Sequence, residues 1–328
     1  MSLIDRRTLL LGGLSLAGLA ACSPAAKPQS LADVTLRVAT YRGNIEAAFE
    51  AAGVANTPYK IAFAEFVGGN LIAEAINAGA IDVGSMSEIP PVFIVPSNRV
   101  LRLVAVRKGD VNAQLVLVPG NSAITDLTGL KGKRIGYVRA TTSHYIMLRL
   151  LTEAGLTVDD ITPIALSPQD GLAAFERGEL DAWVIYGIQG YLARNRGALV
   201  LTTGLGRLSG NYVYAASVDA LNDDLHRAAI VDFLERSARA HEWANTHVEE
   251  WATLIAEKTG APKEVFIQQH AERSRETELA RVDDDAIASQ QLVADVFADA
   301  AVIPAKVDVR PLWDARLNAE INKVDRAT

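Results

Sequence analysis

Residues 139–145 form a hydroxyl-rich segment, Arg-Ala-Thr-Thr-Ser-His-Tyr, whose side chains and backbone can donate hydrogen bonds. Residues 134–138 before it have the composition of a short strand, and the apolar positions 146, 147, 150 and 151 after it repeat with helical spacing. We expect Thr142 or Ser143 to cap this helix, and Arg139 to add charge beside the positive end of its dipole. Turns of this kind bind anions, although the same capping residues also open ordinary helices.

The elements that would position this segment alternate as strands and helices up to residue 222. Strand-like runs lie at 35–39, 60–66, 101–106, 115–118, 134–138, 162–165, 182–186, 199–202 and 212–216. From Asp223 onward, helical patterns follow one another with no strand between them. This order predicts an α/β fold of two lobes, each a mostly parallel sheet covered by helices, with a helical tail that covers the first lobe.

The predicted domain boundaries follow from this alternation. Residues 33–114 and 215–328 are expected to form lobe I, and residues 115–214 to form lobe II. Residues 114–119 and 210–217 are the two strands predicted to carry the chain between the lobes. A chain of this length is able to bury a large core.

Residues 1–21 are predicted to be an export signal rather than part of the fold. The pair Arg6-Arg7 precedes an apolar run at 9–21 that is too short to span a bilayer as a permanent helix. The run ends in Leu-Ala-Ala-Cys, which resembles a bacterial lipobox, so Cys22 is expected to carry a lipid. The arginine pair also resembles a twin-arginine signal, with a general secretory signal as the alternative. Residues 22–32 then form a lipidated tether to a membrane.

Composition limits the classes of function that are possible. The formal charge is −7, and loss of residues 1–21, which carry a net charge of +1, leaves about −8. An acidic protein of this kind is a poor ligand for nucleic acid, whose phosphates require a basic surface. The chain contains one cysteine, so it forms no disulfide within itself.

The sequence offers little support for an enzyme. His241 and His247 have no nearby ligands in a zinc-binding spacing, and we predict neither a metal site nor a cofactor. The glycines at 129 and 132 lack the spacing of a phosphate loop, and no serine lies in a nucleophile elbow.

Several segments, in order along residues 35–315, resemble one family: the periplasmic solute-binding proteins of ABC importers for aliphatic sulfonates, taurine and nitrate. Residues 78–93, with Ala-Gly-Ala-Ile-Asp-Val-Gly-Ser and Ile-Pro-Pro-Val-Phe, resemble its NAGSIDxGS…DIPPxF segment. Residues 173–183 are similar to its AAFxxGxxDAW segment. Residues 126–133, 143–149 and 303–309 are similar to further segments of its aliphatic sulfonate branch.

The resemblance implies the type II periplasmic-binding-protein fold, in which two lobes close over a ligand. It implies a small organic anion as ligand (an aliphatic or aromatic sulfonate or sulfate ester), ABC permease and ATPase partners, a periplasmic location and a monomer. A sulfonate only accepts hydrogen bonds, so its site needs N–H and O–H donors. The candidate ligand-binding residues are Arg42, Gly43, Asn70, Ser87, Arg107, Arg139, Thr141, Thr142, Ser143, His144, Trp183, Tyr186 and Tyr212.

The chain departs from the sulfonate branch where the ligand is expected. Tyr41-Arg42-Gly43 replaces Gln-Lys-Gly, residues 87–88 are Ser-Glu instead of Gly-Asp, and residues 186–188 are Tyr-Gly-Ile instead of Trp-Asp-Pro. These departures leave alternative functions open. They are import of nitrate or of a vitamin or pyrimidine precursor, ligand sensing by a lipoprotein, and a reaction like that of a pyrimidine-forming enzyme.

Overall fold

The computed structural model of the protein describes residues 28–97 and 100–324. The predicted signal peptide at 1–21 and the predicted lipidation site, Cys22, lie outside the described residues. The strands are β1 (Thr35–Thr40), β2 (Lys60–Glu65), β3 (Val83–Ser87), β4 (Leu101–Lys108), β5 (Gln114–Val118), β6 (Arg134–Tyr137), β7 (Thr162–Ala165), β8 (Ala182–Tyr186), β9 (Leu199–Thr203), β10 (Asn211–Ser217) and β11 (Glu278–Ala280).

Helices cover these strands on both sides. They are α1 (Gly69–Asn77), α2 (Pro90–Ile94), α3 (Thr142–Glu153), α4 (Pro168–Glu176), α5 (Ile188–Asn195), α6 (Val218–Asn222), α7 (Asp224–Thr246), α8 (Val248–Thr259), α9 (Lys263–Ala271), α10 (Asp284–Asp299) and α11 (Asn318–Val324). Among the described residues, none of these helices combines the length and the apolar character needed to cross a bilayer.

The strands form two sheets, which correspond to the two lobes. The first has the order β11-β4-β10-β3-β1-β2, and the second has the order β7-β6-β8-β5-β9. The pairs β1–β2, β1–β3, β6–β7 and β6–β8 are parallel, as α/β units require, whereas β5 and β10 pair antiparallel with their neighbours. Both sheets are therefore mixed, because each contains a strand that enters from the other lobe.

The chain passes between the two sheets twice. It leaves the first sheet after β4 and enters the second at β5, and it returns from β9 to β10. The first residue of β5, Gln114, and the first residues of β10 therefore lie at the junction of the lobes, beside the ends of β3, β4 and β8.

Arg37 and Arg134 brace the two sheets in the same way. The Arg37 backbone N–H donates to Asp82 at 2.8 Å, and its Nε and Nη2 donate to the same carboxylate at 3.1 and 2.5 Å. Arg134 makes the corresponding bonds to Asp181 at 2.8, 3.1 and 2.8 Å. Each aspartate precedes the strand that lies parallel to its arginine's strand, so a planar guanidinium fork fixes β1 to β3 and β6 to β8.

The tail differs from the prediction in two respects. A short strand, β11, interrupts the helices and pairs with the outer edge of β4. Its three residues lack an apolar alternation, and they form a strand because that edge offers unpaired backbone groups. The tail also contacts both lobes: Arg194 of α5 donates to Glu272 at 2.6 Å, and Phe297 of α10 lies 4.8 Å from Phe93 and 5.1 Å from His144 between ring centroids.

Candidate ligand-binding cleft

The N-cap of helix α3 lies one residue before the first of its two predicted positions. Its N-cap is Thr141, rather than Thr142 or Ser143, and the Thr141 side chain makes no capping bond. The Thr141 hydroxyl instead donates to the carbonyl oxygen of Val138 at 2.7 Å. This hydrogen bond closes the turn between β6 and α3, and it uses the one proton that the Thr141 hydroxyl could donate to a ligand.

Ser143 is enclosed in the second lobe. Its Oγ donates to the carbonyl oxygen of Val184 on β8 at 2.5 Å and accepts from the backbone N–H of Val138 at 3.0 Å. The residue has no exposed surface. The structure thus corrects the prediction that the Ser143 hydroxyl donates to the ligand, because its one proton holds the helix to β8.

Thr142 is bound to the strand that crosses between the lobes. The Tyr212 hydroxyl donates to the carbonyl oxygen of Asp110 at 2.9 Å, so it accepts from Nε2 of Gln114 at 3.4 Å. The Gln114 amide then turns its Oε1 towards Thr142, whose hydroxyl donates to it at 2.6 Å. Because a carbonyl only accepts, Asp110 sets the direction of every bond in this chain.

The donors left at the start of α3 are backbone amides. The first bond of the helix runs from Tyr145 N to Thr141 O at 3.1 Å, so the N–H groups of residues 142–144 have no partner in the helix. Ala140, just before the cap, has φ = 58°, a strained value for alanine that re-aims the chain into the helix. Amide groups at a helix start favour an anion, and Thr142 lines a narrow cavity between the lobes.

Three of the predicted residues lie side by side on the first sheet. In β10, Tyr212 is opposite Ser87 of β3 on one side and opposite Arg107 of β4 on the other. Residues directly opposite each other point to the same face of a sheet, so the three side chains form one row at the lobe junction. Arg107 lies over the Tyr212 ring, with Cζ 4.4 Å from the ring centroid.

Arg107 provides positive charge on the first-lobe side of the cleft. Among the described residues no carboxylate lies within 4.0 Å of its guanidinium, which rests on the Tyr212 ring. Burial lowers the pKa of His241 on α7, and Arg107 adds to this effect, so that imidazole is neutral. Burial also raises the pKa of Glu46, whose carboxylate accepts from the Thr40 hydroxyl at 2.8 Å.

Tyr186 faces this row from the second lobe. Burial raises its pKa to about 12, and the Thr141 hydroxyl opposes that effect. Burial likewise raises the pKa of Tyr41 in the first lobe; Tyr186 adds to this effect and Arg107 opposes it. Tyr41, which no sequence motif marks as a ligand contact, therefore belongs to the same group of residues as Arg107.

Arg139 and His144 lie on either side of the start of α3 in the chain, and they differ in exposure. The Arg139 side chain is exposed and makes no hydrogen bond or ion pair with the described residues. Burial, together with the charge of Arg139, lowers the pKa of His144 to about 4, so the ring is neutral near pH 7. His144 packs between Tyr137 and Phe297, at centroid distances of 4.7 and 5.1 Å, and its Nδ1 accepts from the backbone N–H of Ala140 at 3.4 Å.

Arg42 and Gly43 are attached to α8 and not to the row on the first sheet. Arg42 Nε donates to the carbonyl oxygen of Lys258 at 3.2 Å. Gly43 has φ = 74°, and a Cβ at this position would lie 2.5 Å from Thr259 Cγ2. Glycine is required there by a left-handed turn packed against the helix end, which gives the pair a structural role.

Asn70 lies at the start of α1, half-buried, and its amide oxygen folds back over Gly68. A Cβ added to the next glycine, Gly69, would lie 2.9 Å from the Tyr41 hydroxyl. The start of α1 is therefore close to Tyr41 and through it to the group around Arg107.

Trp183 lies in the core of the second lobe. It has no exposed surface, stacks at 5.8 Å on Phe175, and leaves no room for a side chain at Gly171 of α4. The prediction that Trp183 contacts the ligand is therefore corrected. Its side chain points to the face of β8 that α4 covers, which the sequence motif does not reveal.

Glu88 is a buried acid at a position where the sequence departs from the family pattern. Its carboxylate accepts from Ser209 at 2.6 Å, Ser289 at 2.9 Å and Asn211 at 3.1 Å. Burial raises its pKa against the effect of these bonds. Glu88 thus joins the loop after β3 to the return crossing and to α10, and it lines the narrow cavity together with Thr142.

The residues at the lobe junction are suited to bind an anion, and the described residues contain no cluster of metal ligands. Amide groups of residues 142–144 and the guanidinium groups of Arg107 and Arg139 supply donors from both lobes. In the part of the chain that the structure describes, no three His, Cys, Asp or Glu side chains converge as they would around a metal ion.

Comparison with known proteins agrees with this geometry. Residues 64–250 match the family model described as NMT1/THI5 like. A curated aliphatic sulfonate-binding protein of Escherichia coli strain K12 is 33% identical over 258 residues, which cover 77% of this chain and 79% of that protein.

Two solved structures extend the similarity to three dimensions. The periplasmic aliphatic sulphonate-binding protein SsuA from Escherichia coli superposes with a TM-score of 0.75 at 30% identity, covering 84% of this chain and 90% of that chain. The alkanesulfonate-binding protein SsuA from Xanthomonas axonopodis pv. citri, bound to MOPS, superposes with a TM-score of 0.78 at 28% identity, covering 88% and 99%. These relatives are binding proteins, and their two-lobed fold is the fold of this chain.

Proposed function

This chain belongs to the NMT1/THI5-like family, and from that membership we propose that it is the substrate-binding component of an ABC importer for a sulfonate. It captures a small organic anion, an aliphatic or aromatic sulfonate or sulfate ester, between its lobes and delivers it to a membrane permease. The observation that carries the proposal is the convergence of unpaired donors at the lobe junction: Arg107 from the first lobe and the amides of residues 142–144 from the second.

The energetics of such a site are adequate for uptake. A charge-assisted hydrogen bond contributes about 1.5–3 kcal/mol net. Three or four such bonds, less the cost of ordering and closing the lobes, reach roughly −8 kcal/mol, which corresponds to a micromolar dissociation constant. Closure also expels water, which strengthens each bond to the anion.

In this proposal, residues 33–114 and 215–328 act as lobe I and residues 115–214 as lobe II. The protein acts in the periplasm as a monomer that is held to a membrane by a lipid on Cys22, after export by a twin-arginine or general secretory signal. It binds its ligand without altering it chemically and delivers it to an importer made of permease and ATPase subunits. Replacement of Cys22 by alanine tests the anchor, because the variant is then expected in the soluble fraction instead of the membrane fraction.

A ligand screen tests the main proposal. The purified protein is heated alone and with ethanesulfonate, hexanesulfonate, benzenesulfonate, phenyl sulfate, nitrate and the corresponding neutral alcohols, and calorimetry then measures affinity for the compounds that raise the melting temperature. We expect sulfonates or sulfate esters to raise it and the alcohols to have no effect. Stabilisation by neutral compounds only, or chemical conversion of a bound sulfonate, would contradict the proposal.

A further inference from the structure

Gln114 is the one residue on the entering strand whose side chain joins the two lobes at the cleft by hydrogen bonds. It is 5% exposed and begins β5, directly opposite Tyr186 of β8. Its Oε1 accepts from Thr142 on α3 at 2.6 Å, and its Nε2 donates to Tyr212 on β10 at 3.4 Å. One amide thus connects the helix start that carries free N–H groups to the ring on which Arg107 lies.

The direction of these bonds determines what the helix start offers to a ligand. Tyr212 has one hydroxyl proton and donates it in a hydrogen bond to the carbonyl oxygen of Asp110, so towards Gln114 it can only accept. Gln114 therefore directs its N–H to Tyr212 and its oxygen to Thr142, and the Thr142 hydroxyl donates to that oxygen. As a result Thr142 turns an oxygen acceptor to the cavity, and the amides of residues 142–144 are the donors that remain.

We propose that Gln114 is a positioning residue that holds the start of α3 at a set distance from Arg107 and directs its backbone amides, instead of its hydroxyls, to the ligand. The proposal rests on the proposed function for the nature of the ligand, although the positioning itself is a property of the free protein. The position requires a side chain that presents an acceptor to Thr142 and a donor to Tyr212 at the same time, and the Gln114 amide does so without ionising near neutral pH.

Replacement of Gln114 by glutamate tests this polarity. The carboxylate of Gln114→Glu has nothing to donate to Tyr212 and adds negative charge beside the anion site. We expect the dissociation constant for the sulfonate that binds best to the wild type to rise by at least about tenfold at pH 8. We expect affinity to recover as the pH falls to about 5.5, because a buried carboxyl group takes up a proton in this range and then donates through its hydroxyl.

The wild type is titrated in parallel, because other groups near Gln114 also carry charge or protons. The groups that face it or lie just beyond its partners are Tyr212 of β10, Tyr186 of β8, Arg107 of β4, Asp110 after β4 and Glu88 at the cavity. Gln291→Glu is the matched control: Gln291 of α10 is hydrogen-bonded to Asp295, Val307 and Val309, none of which touches Gln114. We expect this variant to bind as the wild type does at both pH values.

Equal affinity of wild type and Gln114→Glu at pH 8 would overturn the proposal. A loss of the same size at both pH values would also overturn it, since it would show a structural defect instead of a polarity requirement. A second variant, Gln114→Met, keeps the test valid if the glutamate variant does not fold. It removes both hydrogen bonds without adding charge.

Hydrogen exchange without ligand separates this proposal from the proposed function. In Gln114→Met we expect faster exchange in a peptide spanning residues 140–150 than in the wild type, with no change there in Gln291→Met. Unchanged exchange would refute the positioning role even if the wild type binds sulfonates. A localised increase would support it even if the wild type binds none, in which case only the proposed ligand would be wrong.

Discussion

Arg107 and Tyr212 are opposite each other on neighbouring strands, and the guanidinium carbon of Arg107 lies 4.4 Å from the centroid of the Tyr212 ring. The ring supports one face of the planar guanidinium and limits its rotation, while the edge of the fork stays available for an anion. The pair thus provides an oriented cation at the lobe junction.

Replacement of Arg107 by glutamine is expected to weaken sulfonate binding strongly. Loss of one charge-assisted bond removes about 1.5–3 kcal/mol, which raises the dissociation constant roughly ten- to hundred-fold. Calorimetric titration measures this change. Arg102→Gln, at the other end of the same strand, is the matched control and is expected to bind as the wild type does. Equal losses in both variants would show that Arg107 has no special relation to the ligand.

Substitutions of Arg139 and Arg42 are expected to differ in their effect on ligand affinity, although the sequence indicated both residues as ligand contacts. Arg139→Ala is expected to weaken binding several-fold without unfolding the protein, because Arg139 is exposed, precedes the start of α3 by three residues and acts electrostatically on His144 in its first turn. Arg42→Ala is expected to leave affinity unchanged, since Arg42 is bound to the end of α8. Titrations at low and high salt compare the two variants. An unchanged dissociation constant for Arg139→Ala would remove that residue from the site.

Ser143→Ala is expected to lower stability and leave affinity nearly unchanged. The substitution leaves the Val138 N–H and the Val184 carbonyl unpaired in a buried position, which costs about 1–3 kcal/mol. Urea unfolding measures the stability, and calorimetry at a temperature where the variant is folded measures the affinity. A large loss of affinity with unchanged stability would instead restore Ser143 as a ligand donor.

His144 is expected to make the protein less stable in mild acid. Its pKa in the folded state is about 4, below the ordinary value of 6.5, so the unfolded chain binds the proton first as the pH falls. The free energy of unfolding therefore decreases between about pH 6.5 and pH 4, by roughly 3 kcal/mol from this residue. Urea unfolding of wild type and His144→Phe across this range isolates the contribution as a difference.

The pH-dependent loss of unfolding free energy is expected in the wild type and not in His144→Phe, and the difference between them is expected to be largest near pH 4. His247→Gln, at an exposed histidine, is the control and is expected to follow the wild type. Parallel curves for wild type and His144→Phe would show that the imidazole is not buried in the way described.

Local patterns in the sequence predicted most of the fold. The runs 162–165 and 182–186 became strands with the predicted bounds, and a helix follows the hydroxyl-rich turn as expected. These features depend on side-chain periodicity and on caps a few residues away, which a single sequence displays. The strand β3 was missed because its segment, Val-Gly-Ser-Met-Ser, is not an apolar run and is stabilised by neighbours on both sides.

The sequence by itself therefore determined the class of the protein, the two-lobed order of its elements and the region where an anion is expected to bind. Only the tertiary structure decided which side chains face that region. Sheet register aligned Ser87, Arg107 and Tyr212, which lie far apart in the chain, and the core enclosed Trp183. Each hydroxyl has a single proton, and its direction depends on acceptors contributed by distant strands, so no local pattern reveals whether it is free for a ligand.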